Sequence, residues 1–84
     1  PDVMFLSETH LNIYPAECLR RRLGMDHILV CPSDGRKGGL ALYWRNNIKV
    51  HRLALDSMFI DVKIEEINNT IWRLTGNLSG KINI

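Results

Sequence analysis

Met58-Phe59-Ile60-Asp61-Val62-Lys63-Ile64-Glu65 alternates with period two, placing Met58, Ile60, Val62 and Ile64 on one side of an extended chain. The pattern predicts a strand with one face in a core and the other toward water. Asn68-Asn69 reads as a turn after it, and Ile71-Trp72-Arg73-Leu74-Thr75 returns as the partner strand, ending at Gly76. Upstream, Ile48-Lys49-Val50-His51 alternates in the same period. Leu53 and Leu55 fall in the other phase, so a bulge or strand end is expected near His51-Arg52. Before it, Gly38-Gly39 leads into Leu40-Ala41-Leu42-Tyr43-Trp44, and Asn46-Asn47 then joins two strands that read as an antiparallel hairpin.

The first part of the chain has a different rhythm. Val3-Met4-Phe5-Leu6 is short and continuously apolar, which suits a strand buried on both faces. Pro15 stands where a first helical turn tolerates it. Ala16, Leu19 and Leu23 recur at helical spacing, and Gly24 offers a C-terminal cap, so a helix is predicted over 15–23. Arg20, Arg21 and Arg22 in its last turn complement the negative end of the helix dipole. His27-Ile28-Leu29-Val30-Cys31 is a second apolar strand, and Pro32-Ser33-Asp34-Gly35 is expected to stop it. One helix among antiparallel strands gives an α+β class.

Composition bounds what this fold can serve. At 84 residues, 45% hydrophobic and 24% charged, the chain is at most one globular domain. Its longest apolar run, Gly39 to Trp44, is far short of the roughly 20 residues that span a bilayer. The start carries no secretory leader, and an initial Pro reads as a piece of a longer product. A net charge of +2 does not by itself mark a nucleic-acid binder. Cys18 and Cys31 have neither metal-ligand spacing nor the density of a disulfide scaffold. Both are expected to be reduced and half-buried in an intracellular protein.

Conventional catalytic signatures are missing: there is no phosphate-binding glycine loop, His-Glu-x-x-His, Cys-x-x-Cys or nucleophile elbow. His10, His27 and His51 read as surface or strand-edge residues. Glu8 is the informative position. A carboxylate just beyond a buried strand lies where ligands collect in sheet proteins, and one or two carboxylates with a substrate phosphate typically hold Mg²⁺. The plainer alternative is that Ser7-Glu8-Thr9 simply begins a loop.

Four blocks, taken in order, add a resemblance: Pro1 to Thr9, Gly35 to Trp44, Ile60-Asp61-Val62 and Trp72-Arg73-Leu74-Thr75-Gly76. Together they resemble the endonuclease/exonuclease/phosphatase family, and more narrowly the apurinic-endonuclease-like domain of plant LINE-type (non-LTR) retrotransposons. The resemblance covers residues 1–80, with 81–84 expected to be an unrelated tail. It implies a partial αββα sandwich, of which this chain supplies mainly one mixed or antiparallel sheet and one helix. The sheet face left open by the missing half would then favour self-association.

The resemblance also implies a chemistry. Glu8 takes the place of the family's glutamate on the catalytic divalent metal, so Mg²⁺ is the implied cofactor, bound weakly, and DNA the implied partner. Arg36 and Lys37 fall beside the family's glycine pair, as contacts to a nucleic-acid backbone or equally as solubilising loop charges. His10 joins them, standing where the family often has Lys. Leu78 stands where the family has a Tyr near the active site, and the family's later catalytic motifs have no counterpart here. The expected function is a truncated Mg²⁺-dependent phosphodiesterase, inactive alone. The alternatives are a catalytically dead nucleic-acid-binding remnant and a non-functional pseudogene product.

Overall fold

Strand β1 (Val3–Ser7) is followed by helix α1 (Ile13–Leu23) and by strands β2 (His27–Asp34), β3 (Lys37–Trp44) and β4 (Ile48–Leu55). Strands β5 (Phe59–Glu66), β6 (Ile71–Asn77) and β7 (Ile82–Asn83) complete the chain. The structure, a computed structural model, describes residues 1–34 and 37–84. Among the described residues the class is α+β, with every strand pairing antiparallel.

The strands make two sheets where mainly one was expected: a three-stranded sheet ordered β1-β3-β2 and a four-stranded sheet ordered β4-β5-β6-β7. Strand β3 is the reason. It pairs with β1 on one edge, Phe5 opposite Leu42, and with β2 on the other, Leu29 opposite Leu42, so no edge is left for β4. The hairpin expected across Asn46-Asn47 is therefore a crossing between layers, closed by the Ile48 N–H donating to the Arg45 carbonyl at 3.0 Å.

The two sheets pack face to face. Leu40 and Leu42 of β3 meet Ile48, Ile60, Val62, Ile64 and Leu74 in one buried cluster, with Val3 and Phe5 against it. The alternate residues of β3, Ala41 and Tyr43, face the other way with Met25, under Leu19 and Leu23 of α1. Met4 and Leu6 join that second cluster, so β1 is covered on both faces as its unbroken apolar run predicts. Burying a Leu or Ile side chain stabilises by about 1.5–3 kcal/mol.

Local differences from expectation have local causes. Helix α1 begins two residues before Pro15, with Asn12 as N-cap, and ends at Gly24 in the left-handed conformation (φ 71°). Strand β2 continues through Pro32 because it is an edge strand, where a missing N–H costs no ladder bond. Gly35 of the expected loop lies outside the described residues. The phase slip in β4 is a register shift between Arg52 and Ala54, leaving Leu53 out of the pairing. The Asn68-Asn69 turn joins β5 to β6 as expected.

The sheet face expected to lie open is covered, since each sheet's apolar face meets the other's. The side turned outward from the four-stranded sheet is largely polar: Lys49 opposite Glu65, His51 opposite Lys63, Lys63 opposite Arg73, and Asp61 opposite Thr75. Within the expected tail, Ile82 and Asn83 pair with Gly76 and Thr75. No helix among the described residues is long and apolar enough to cross a membrane.

Candidate functional site

Strand β1 delivers Glu8 to the rim of the three-stranded sheet, and the backbone there is unusual. Glu8 (φ 50°) and His10 (φ 56°) lie in the left-handed region that side chains disfavour, opposite Gly38 (φ 82°) and Gly39 (φ 94°). The Thr9 N–H donates to the Gly39 carbonyl and the His10 N–H to the Gly38 carbonyl, each at 3.0 Å. These bonds extend the β1–β3 contact past the regular ladder. They hold Glu8 and His10 in their strained conformations, a feature that concentrates at functional sites.

Within this rim Glu8 Oε2 accepts the Gly38 N–H at 3.3 Å and lies 3.5 Å from His10 Nε2. Both side chains are about half exposed, His10 at 54% and Glu8 at 47%. Gly39 has no space for a side chain, since a Cβ there would strike Thr9 Oγ1 and come within 2.9 Å of the His10 nitrogen. The turn after β6 closes one side: a Cβ on Gly80 would lie 3.3 Å from Ser7 Oγ. Leu78, in that turn, packs on the inter-sheet core and brings no hydroxyl to the rim.

The arginines at the end of α1 lie away from this rim. Arg20 donates from Nε to Glu17 Oε1 at 2.7 Å and from Nη1 to the Met25 carbonyl at 2.8 Å, which closes the end of α1. The Arg20 guanidinium holds the Glu17 carboxyl below its ordinary pKa. Arg21 and Arg22 are exposed beside it. Asp26 donates its N–H to the Trp44 carbonyl, so this cluster sits at the Trp44 end of β3, whereas Glu8 sits at the Gly38 end. At about 3.4 Å per residue the two ends are roughly 20 Å apart. Arg36 lies outside the described residues, and the Lys37 backbone pairs with Asp34 of β2.

The remaining histidines are strand-edge residues, as expected. His27 stacks on Trp44 with ring centroids 5.6 Å apart, and its Nε2 lies 2.7 Å from Asn46 Oδ1. His51 Nε2 lies 3.5 Å from Glu65 Oε1. Cys18 and Cys31 are free and half-buried, and burial pushes the Cys31 thiol up.

The sequence reading missed one polar cluster. Asp61 on β5 accepts from Arg73 Nε at 2.8 Å, from Arg73 Nη2 at 2.5 Å and from Thr75 Oγ1 at 3.3 Å. The Arg73 guanidinium holds the carboxyl below its ordinary pKa, against the opposing effect of burial. The register explains the miss: the hairpin is centred on Asn68 and sets Asp61 opposite Thr75, with Arg73 two residues along on the same face, whereas a two-residue Asn68-Asn69 turn would set Asp61 opposite Gly76.

No protein-family model, curated protein or solved structure matches this chain.

The described residues contain no group of three or more His, Cys, Asp or Glu side chains placed to hold a metal. Mg²⁺ demands near-octahedral oxygen coordination, and Glu8 supplies a single carboxylate.

Proposed function

We propose that this chain is the N-terminal part of a phosphodiesterase domain of the endonuclease/exonuclease/phosphatase kind, as in plant LINE-type retrotransposons. Alone it contacts nucleic acid without cleaving it. The observation that supports this most is Glu8, a half-exposed carboxylate at the end of a doubly covered strand, set against a glycine pair. Two face-to-face antiparallel sheets with a helix on one outer side are compatible with part of an αββα sandwich. In this reading Mg²⁺ meets Glu8 only in company with a substrate phosphate, at millimolar-class affinity.

Hydrolysing a phosphodiester needs a group to activate water and one to stabilise the leaving oxygen, and such groups fail together when several are removed. The rim offers one member of such a set, with Leu78 in place of the Tyr the resemblance expects. Contact with DNA falls to exposed cations, Arg21 and Arg22 among them, and must weaken as salt rises.

Incubating the purified chain with supercoiled and abasic-site DNA in Mg²⁺ or Mn²⁺ tests both halves. The expected result is retention at low salt, lost as salt rises, and no nicking above background. Nicking that disappears in Glu8→Ala overturns the inactivity. Absence of retention at low salt overturns the nucleic-acid contact.

A further inference from the structure

We propose that the outer face of α1 binds single-stranded nucleic acid, with a base stacked on Tyr14 and phosphates on Arg21 and Arg22. This rests on the nucleic-acid contact proposed above and deepens it by naming unpaired strands as the partner.

The helix period that turns Ala16, Leu19 and Leu23 toward the sheet places Tyr14, Cys18, Arg21 and Arg22 on the opposite face. Tyr14 is 78% exposed, with Ile13 beside it at 62%. The chain's other Phe, Tyr and Trp side chains, Phe5, Tyr43, Trp44, Phe59 and Trp72, are buried or half-buried. Tyr14 is thus the one ring of these types that the surface offers to a partner.

Cations stand next to it. Arg20 and Glu17 answer each other, Arg20 Nε donating to Glu17 Oε1 at 2.7 Å, and Arg20 is also held to the Met25 carbonyl. Arg21 and Arg22, both exposed, are left as the cationic surplus of this face. Helical side chains lean toward the N-terminus, which brings both arginines back toward Tyr14 from about 10–12 Å along the axis. The helix dipole is reason enough for arginines at this end. It gives no reason for an aromatic ring left in water beside them.

A groove completes the match. Leu11, Tyr14, Pro15, Cys18, Leu19 and Arg22 line a shallow, mainly apolar groove beside the ring. The Tyr14 side chain shares a hydrogen bond with Cys18 one turn on, which lays the ring along the helix. A flat base can stack on such a surface, whereas the apolar anchor of a protein partner needs a pocket that closes around it. Stacking on an aromatic ring, with phosphates on nearby cations, is how single strands are held without regard to sequence. A duplex keeps its bases stacked inside and can use the arginines alone.

Fluorescence anisotropy of the intact chain with labelled oligo-dT and with a duplex of equal length, at the same low salt, tests this. The single strand is expected to bind more tightly. Tyr14→Ala should weaken oligo-dT binding about 5-fold to 100-fold and leave the duplex unchanged. Tyr14→Phe, which keeps the ring, should retain most of the affinity. Arg22→Ala should weaken both and lower the salt slope for the single strand by roughly 0.7. Circular dichroism confirms that each variant is folded. A duplex bound as tightly as oligo-dT, or oligo-dT binding unmoved by Tyr14→Ala, overturns the stacking and leaves the nucleic-acid contact standing. Binding of neither overturns both. Displacement of oligo-dT by poly-glutamate as readily as by unlabelled oligo-dT assigns the face to acidic protein segments and also overturns the proposal.

Discussion

Thr9 and Gly39 interlock: the Thr9 N–H donates to the Gly39 carbonyl at 3.0 Å, while Thr9 Oγ1 fills the space a side chain at position 39 would need. Gly39 is thus constrained twice, by φ 94° and by the close approach. Gly38, at φ 82°, has nothing within 4 Å of its missing Cβ. Gly38→Ala should cost only the backbone strain, about 1 kcal/mol, and Gly39→Ala the strain plus the clash, about 3 kcal/mol or more. Equal losses in urea denaturation would show that Thr9 does not occupy that space.

A similar contact joins the two sheets. A Cβ on Gly76 would come within 2.6 Å of the Phe5 ring, so Gly76→Ala should destabilise by about 1–3 kcal/mol through overpacking. Phe5→Leu in the same chain should recover part of that loss, giving a non-additive double mutant. Additive effects would mean that the two residues do not share the space.

Tyr43 ties the helix to the sheet beneath it through its buried hydroxyl, which donates to the Ala16 carbonyl at 3.0 Å. Tyr43→Phe should cost about 1 kcal/mol and lower the urea midpoint with an unchanged slope. An unchanged midpoint would remove the bond from the account of how α1 is held.

The Asp61–Arg73 pair predicts a pH dependence. Hydrogen bonding from Arg73 lowers the Asp61 pKa in the folded chain, so the pair's contribution is complete above the unfolded carboxyl value and lost as pH falls through the lower folded one. Asp61→Asn should be less stable than the parent at about pH 7, with the gap closing below about pH 4. A gap of the same size in acid would indicate that the ionised carboxylate is not what stabilises the hairpin.

Residue period carried much of the fold. The alternation from Met58 to Glu65, the unbroken apolar run of β1 and the Asn68-Asn69 turn were each legible because one side-chain pattern admits one arrangement. Sheet membership was not legible. Period says which residues share a face and not which strand lies alongside, and only the pairing of β3 on both edges sends β4 to the other layer. Glu8 stood out as a carboxylate after a buried strand, but no spacing rule announces the left-handed conformations of Glu8 and His10 that shape this rim. The arginines 20–22 look like one basic patch in sequence, whereas Arg20 is committed to Glu17 and the end of α1.

The crossing at Arg45–Asn47 divides the chain at one point: every residue of the three-stranded sheet precedes it and every residue of the four-stranded sheet follows it. The later half is a run of adjacent antiparallel strands that closes through short loops, whereas β1 must wait for β3, some 30 residues on, to be in place. The two halves are thus natural fragments. A chain cut between Asn46 and Asn47 gives two pieces whose apolar sheet faces each require the other, so reassembly from separate peptides becomes a bimolecular measure of the interface that the intact protein hides.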